Sequence, residues 1–217
     1  MSAAEHSTGV LLIHGGLFEA IGPEEFWHQP GIITGLEIAG LQVVAPRRVI
    51  APSSWSDEVE HLVASIPSLP SQWSLVSGSN GCSVAVRLAI DHAELVARLV
   101  LCWPASAGDP EVDRLERAPA EMLRGETLRG VSDAELARIS VPVTIIPSDP
   151  PNKYHQAATV HRLLSLIPGA RSTRAFPESP RPGFSSHRAA FFGGADLVAG
   201  VTALPSSVFL LPDVLVP

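Results

Sequence analysis

Cysteine is scarce in this chain: among 217 residues there are two, Cys82 and Cys102. Two thiols cannot build a disulfide framework, and these two lack metal-ligand spacing. Both suit small buried hydrophobes better than reactive thiols. Charge is sparse as well. Charged residues make up 17% of the chain, and the formal net charge is −7. No run of Lys or Arg interrupts this acidic balance. That excludes the electrostatic footprint of a nucleic-acid binder and the basic patch of a protein that docks on anionic membrane. No apolar run approaches the roughly 20 residues of a membrane helix. The segment Met1-Ser2-Ala3-Ala4-Glu5-His6 lacks the basic and apolar regions of a secretory signal. The expectation is a cytoplasmic protein acting on a small molecule, with no metal, no cofactor, and no nucleic-acid or membrane partner. Its oligomeric state is not legible.

What the chain does have is apolar material and alternation. Hydrophobic residues make up 46% of it, enough to close the core of one domain spanning 1–217. Five short apolar runs stand out: Val10–Ile13, Gln42–Ala45, Ser74–Val76, Arg98–Cys102 and Val141–Ile146. A sixth, weaker one spans Arg171–Phe176. Runs this short and this rich in β-branched residues fit strands buried on both faces of a parallel sheet. Between them the spacing predicts helices over 54–66, 80–92, 154–167 and 188–201. The first opens with capping-type serines and Asp57-Glu58. Strand and helix in alternation predict an α/β fold, doubly wound, with a mostly parallel sheet of about six strands. The stretch 104–140 holds no strand. A connection of that length is either a surface excursion over a sheet edge or, as favoured here, a short lid over a pocket.

The chemistry concentrates at Ser77-Gly78-Ser79-Asn80-Gly81, where the third apolar run meets the second predicted helix. A serine at the apex of so sharp a turn needs small residues two before and two after it. Ser79 meets that condition, with Ser77 and Gly81. Ser77 as apex would place Leu75 at the first position, and Ser83 lies inside the helix. The Ser79 hydroxyl would stand above the sheet, near a helix N-terminus that favours developing negative charge.

This turn resembles the nucleophile elbow of the α/β-hydrolase superfamily, Gly-x-Ser-x-Gly, with Ser77 at the first glycine position. The resemblance runs from Val10 to about Val201, on a trimmed sheet. It implies an oxyanion hole from the loop His14-Gly15-Gly16-Leu17, using the amide of Gly16 or Leu17, together with the amide of Asn80. It also implies the chain order Ser, then Asp or Glu, then His. On that order the acid is Asp149, just past the fifth strand, with Asp109 as the less favoured rival. The base is His187, ahead of the last helix. His155 and His161 are set aside because both fall in the predicted helix 154–167 and leave little chain for the next strand. Phe18 and Trp103 are candidate substrate-binding residues at the pocket rim. The implied activity is hydrolysis of a carboxylic ester, thioester or lactone by Ser79, His187 and Asp149 through an acyl-enzyme. Two alternatives remain open on this scaffold: a lyase, isomerase, cyclase or C–C bond hydrolase, and a binding protein without chemistry.

Overall fold

The computed structural model describes residues 9–68, 71–116 and 118–195. Its centre is a six-stranded sheet, and every pairing in it is parallel. In chain order the strands are β1 (Gly9–Ile13), β2 (Val43–Val44), β3 (Trp73–Gly78), β4 (Val96–Cys102), β5 (Val143–Ile146) and β6 (Arg171–Ser172). Their spatial order is β2-β1-β3-β4-β5-β6. Each of the six apolar runs is thus a strand. The two edge strands are short, which limits the unpaired backbone offered to other chains.

The helices are α1 (Ile32–Ile38), α2 (Trp55–Ser65), α3 (Gly81–Asp91), α4 (Pro110–Leu115), α5 (Ala120–Leu123), α6 (Asp133–Leu136), α7 (Ala157–Leu166) and α8 (Arg188–Gly194). Strand alternation divides the core between them. Leu11, Ile13, Leu75, Leu99, Leu101 and Ile145 pack on one face with Val59, Leu62, Val84, Leu88, Val160 and Leu163 from α2, α3 and α7. Val10, Leu12, Val76, Val100 and Ile146 pack on the other with Ile32, Leu36, Phe191 and Phe192 from α1 and α8. A parallel sheet needs helices on both faces, and this one has them.

Three predicted helices match α2, α3 and α7 to within a few residues. Ser54 caps α2, its hydroxyl accepting from the Asp57 N–H at 3.1 Å. The start of α7 matters most. It begins at Ala157, not Tyr154, so His155 lies in the loop before it. The predicted helix 188–201 is seen as α8 through Gly194, and its remainder from 196 lies outside the described residues.

The stretch 104–140 carries α4, α5 and α6 with two isolated bridges between them. It is anchored rather than loose. Met122, Leu128, Val131, Leu136 and Ile139 are buried in the α2–α3 face of the core, and the Trp55 indole N–H donates to the Met122 carbonyl at 3.2 Å.

Candidate active site

The site lies at the carboxyl ends of β1, β3, β5 and β6, where open α/β sheets offer a crevice. β3 runs into α3 through Ser79, whose φ is +52°. That region is sparsely populated by residues with a Cβ, and such strain recurs at functional turns. The turn packs with almost no clearance. A Cβ on Gly81 would lie 2.5 Å from the His14 carbonyl oxygen and 2.7 Å from that of Ile13. A Cβ on Gly15 would lie 2.9 Å from the Ser79 Cβ. Ser77, the small residue two before the apex, is buried and its hydroxyl donates to the Val100 carbonyl at 3.3 Å.

Ser79 Oγ stands 2.9 Å from His155 Nε2. His155 Nδ1 stands 2.9 Å from Glu178 Oε1. Both partners are nearly buried, with side chains 12% and 8% exposed. Burial alone would push the Glu178 carboxyl up. Hydrogen bonds from His155 and Ser148, and the charges of His155 and Arg181, outweigh it and hold the group down at about 2. Glu178 is therefore a carboxylate and only accepts. That places the His155 proton on Nδ1 and leaves Nε2 free to accept from the Ser79 hydroxyl.

A network of side chains fixes this pair. Asn152 accepts the backbone N–H groups of Tyr154 and His155 on Oδ1 at 3.0 and 3.2 Å, which shapes the turn that carries His155. Its amide donates to Glu178 Oε1 at 2.7 Å, and Ser148 Oγ donates to the same oxygen at 2.6 Å. Arg181 pairs with the second oxygen, Oε2.

The loop His14–Leu17 follows β1. His14, Gly15 and Gly16 abut the elbow, and Asn80 opens α3 beside them. Gly16, Ser79, Asn80 and His155 line one cavity of about 210 Å³, together with Glu19, Ala105, Leu115, Glu116 and Tyr154. Leu17 is buried in the core. Asn80 Oδ1 accepts from Arg129 Nη1 at 2.8 Å, and Arg129 also pairs with Asp113 and Glu116.

The sequence-predicted acid and base are not brought to Ser79. Asp149 is exposed, and its backbone N–H donates to the Phe176 carbonyl at 2.9 Å. It is the neighbouring Ser148 that turns inward. His187 is half-exposed in a 3₁₀ turn (Pro182–His187), where its Nδ1 meets the Gly183 carbonyl and the Ser186 hydroxyl, each at 3.0 Å. Asp109 caps α4 and holds the Gln156 amide, which lowers its carboxyl below the usual range. The two loops that meet Ser79 are nevertheless the two that the sequence pointed to. They carry the opposite groups: the imidazole follows β5 and the carboxylate follows β6. One signal in the sequence does point to His155. Pro150-Pro151-Asn152 opposes helix start before that histidine, so it can sit in a loop. Glu178, between Pro177 and Ser179-Pro180, has no comparable mark.

Trp103 does not line the cavity. It is fully buried on the α1–α8 face, its indole N–H donating to the Phe176 carbonyl at 2.9 Å and its rings stacked 5.8 Å from Phe191. Phe18 is half-buried against the opposite face of the core and is likewise not part of the cavity wall. Cys82 and Cys102 are buried, and burial pushes the Cys82 thiol up to about 12. Among the described residues no group of three or more His, Cys, Asp or Glu side chains could hold a metal ion. No described helix is long and apolar enough to cross a membrane.

No family model and no curated protein sequence matches the chain. Solved structures do. A meta-cleavage product hydrolase from Pseudomonas fluorescens IP01 is 18% identical, with a TM-score of 0.66 over 88% of this chain and 89% of that one. A 2-hydroxy-6-oxo-6-phenylhexa-2,4-dienoate hydrolase from Rhodococcus sp. strain RHA1 is 16% identical, with a TM-score of 0.65 over 87% and 90%. A carboxylesterase from Bacillus subtilis is 17% identical, with a TM-score of 0.56 over 88% and 85%. The parallel six-stranded sheet, the serine elbow between β3 and α3, and these likenesses together show that the chain has the α/β-hydrolase fold.

Proposed function

We propose that this protein is a serine hydrolase of small carboxylic esters, working through Ser79, His155 and Glu178. The observation that carries the reading is the hydrogen-bonded chain from Ser79 Oγ through His155 to Glu178. It has the parts of a nucleophile, a base and an orienting acid, whatever their order in sequence. His155 Nε2 takes the Ser79 proton as Oγ attacks the ester carbonyl carbon. The Asn80 amide and that of Gly16 or Leu17 hold the resulting oxyanion, each donor contributing about 3–4 kcal/mol by analogy with measured holes. The intermediate collapses, the C–O bond to the alcohol breaks, and His155 returns its proton to the departing alkoxide. Water then attacks the acyl group on Ser79, again giving its proton to His155, and the acid leaves with the serine restored. Glu178 keeps the imidazole in the required tautomer and stabilises it when charged.

The stretch 104–140 serves here as a short, fixed lid, since Ala105, Leu115 and Glu116 form part of the cavity wall. A second reading comes from the dienoate hydrolase likeness, whose named substrate carries a carboxylate. The cavity wall opposes it. Among the described residues Glu19 and Glu116 line it and no Lys or Arg does, although Arg129 pairs with Glu116. A carboxylate ligand meets the like charge of Glu19 there and finds no free cation on the described wall, so neutral esters are favoured over dienoates.

The decisive experiment is labelling with a fluorophosphonate probe alongside turnover of p-nitrophenyl acetate and butyrate. The wild type is expected to label and turn over, and Ser79→Ala to lose both. Labelling that survives in Ser79→Ala sinks the reading. Turnover of a dienoate with no activity on any ester replaces it with the second one.

A further inference from the structure

Beneath the oxyanion loop lies a buried arginine that the catalytic chain does not use. Arg48 follows β2 and is 4% exposed. Its Nε and Nη2 meet both oxygens of Glu58 on α2, at 2.5 and 3.1 Å, and Glu58 is wholly buried. The guanidinium also faces the other way. Arg48 Nη1 donates to the carbonyl of His14 at 2.8 Å and to that of Gly16 at 2.7 Å. Its backbone N–H donates to His14 Nε2 at 3.0 Å. That bond leaves the His14 proton on Nδ1, which donates to the Gly15 carbonyl at 2.8 Å. Burial, with the charge of Arg48 adding to it, lowers the His14 imidazole to about 4, so it stays neutral and keeps this pattern.

Three successive carbonyls, those of His14, Gly15 and Gly16, are therefore each bonded to Arg48 or to the histidine that Arg48 orients. In a trans peptide the carbonyl of one residue and the N–H of the next point in opposite directions. Fixing the Gly15 and Gly16 carbonyls thus fixes where the Gly16 and Leu17 N–H groups point. Glycine at two of these positions would otherwise leave the planes free to turn.

We infer that Arg48 is a positioning residue for the oxyanion hole: it locks the peptide planes of the loop after β1, so that a donor N–H is aimed at the carbonyl reacting at Ser79 before substrate arrives. The kinetic part of this inference rests on the hydrolytic reading above. The structural part does not. A buried ion pair with no such role would affect folding alone.

The test uses a double variant, R48M with E58M, because removing Arg48 alone would strand a buried carboxylate. Arg48→Lys is the second variant, since an ammonium keeps the charge but not the fork that reaches Glu58 and two carbonyls together. In folded protein the double variant is expected to lose about 10- to 100-fold in kcat with KM changed by less than about threefold. Inhibition by a trifluoromethyl ketone, whose adduct with Ser79 bears an oxyanion, is expected to weaken by the same factor. Arg48→Lys should fall between. Folded variants with unchanged kcat and unchanged ketone inhibition overturn the inference, as does a loss confined to KM. A substrate-free arm separates it from the hydrolytic reading. The Gly15, Gly16 and Leu17 amide resonances in ¹⁵N spectra should be single in the wild type and split or broadened in both variants. If the wild type hydrolyses no ester, that arm alone decides, and unaltered resonances overturn the inference.

Discussion

Ser79 and the loop His14–Gly16 are fixed at their backbone, by sterics and by bonds to their carbonyls, whereas His155 and Glu178 are fixed mainly through bonds to their side chains. On the first side the constraints are a positive φ at Ser79, glycines that leave no room for a Cβ, and carbonyls pinned from below by Arg48. On the second side Asn152, Ser148 and Arg181 converge on one carboxylate that orients one imidazole. Backbone sterics fix a position and tolerate little exchange of sequence. A polar network fixes a role, and different residues on the same two loops can fill it. On the proposed reading, this is what lets the acid and the base exchange loops without moving the reaction centre.

Removing each imidazole in turn gives the largest contrast between the two. His155→Ala is expected to lower kcat/KM for a p-nitrophenyl ester by about 10⁴-fold or more, as removal of a triad base does elsewhere. His187→Ala should change it by less than about twofold, because the His187 ring bonds the Gly183 carbonyl and Ser186 and packs edge-on against Phe176, away from Ser79. The reverse result would restore His187 as the base and would require its turn to rearrange. Circular dichroism on both variants shows that the comparison is made on folded protein.

The acid gives the next largest effect. Glu178→Gln should lower kcat by about 10²- to 10⁴-fold, since an amide can donate to Nδ1 and so favour the wrong tautomer. Asp149→Asn should leave it within about twofold, because the Asp149 carboxylate is exposed. Glu178 also has a stability signature. Its native carboxyl sits at about 2, below its ordinary range near 4.5. A depressed acid stabilises the fold above the unfolded value and loses that contribution as pH falls toward the native one. The window is therefore pH 4.5 down to 2, with a loss on the order of 3 kcal/mol. His14 acts earlier. Its native value near 4 lies below the ordinary 6.5, so the folded state resists protonation and stability falls as pH drops from 6.5 to 4. Urea melts at steps between pH 7 and 2 should show both declines, the second absent in Glu178→Gln.

The same division explains what could be read from residues alone. The four central strands were the most legible, because burial on both faces demands continuous apolar runs such as Val10–Ile13, whereas the edge strand β6, Arg171–Ser172, is exposed and its run is weak. The elbow was legible because its steric rule is written in Ser77, Ser79 and Gly81. The contacts of His155 and Glu178 were not, because a hydrogen-bond network leaves no periodicity. The apolar spacing puts His155 inside a helix over 154–167, whereas α7 starts at Ala157, and the two prolines before Asn152 carry the contrary signal. Glu178 reaches His155 across 23 residues, and only the pairing of the β6 end with the β5 end shows it. Trp103 pointed toward the pocket by position alone. Its backbone at φ +49° turns it into the aromatic core instead.

The smallest expected effect tests the network itself. Asn152 does two things: it accepts the amides of Tyr154 and His155, and it donates to Glu178. Asn152→Ala removes both. A hydrogen bond to a charged acceptor contributes about 1.5–3 kcal/mol, and two other donors still hold Glu178, so a kcat loss at the low end of the corresponding range of about 10- to 150-fold is expected, with KM unchanged. Asn152→Asp separates the two jobs. It keeps an acceptor for the turn amides but loses the donor, and it sets a second carboxylate against Glu178. If the turn is what matters, Asp should outperform Ala. If the hold on Glu178 is what matters, Asp should be the worse of the two, with the deficit shrinking as the pH is lowered and the carboxylate pair takes up a proton. The side-chain account of this half of the site requires the second result, because Glu178 orients His155 only while its charge is fully partnered.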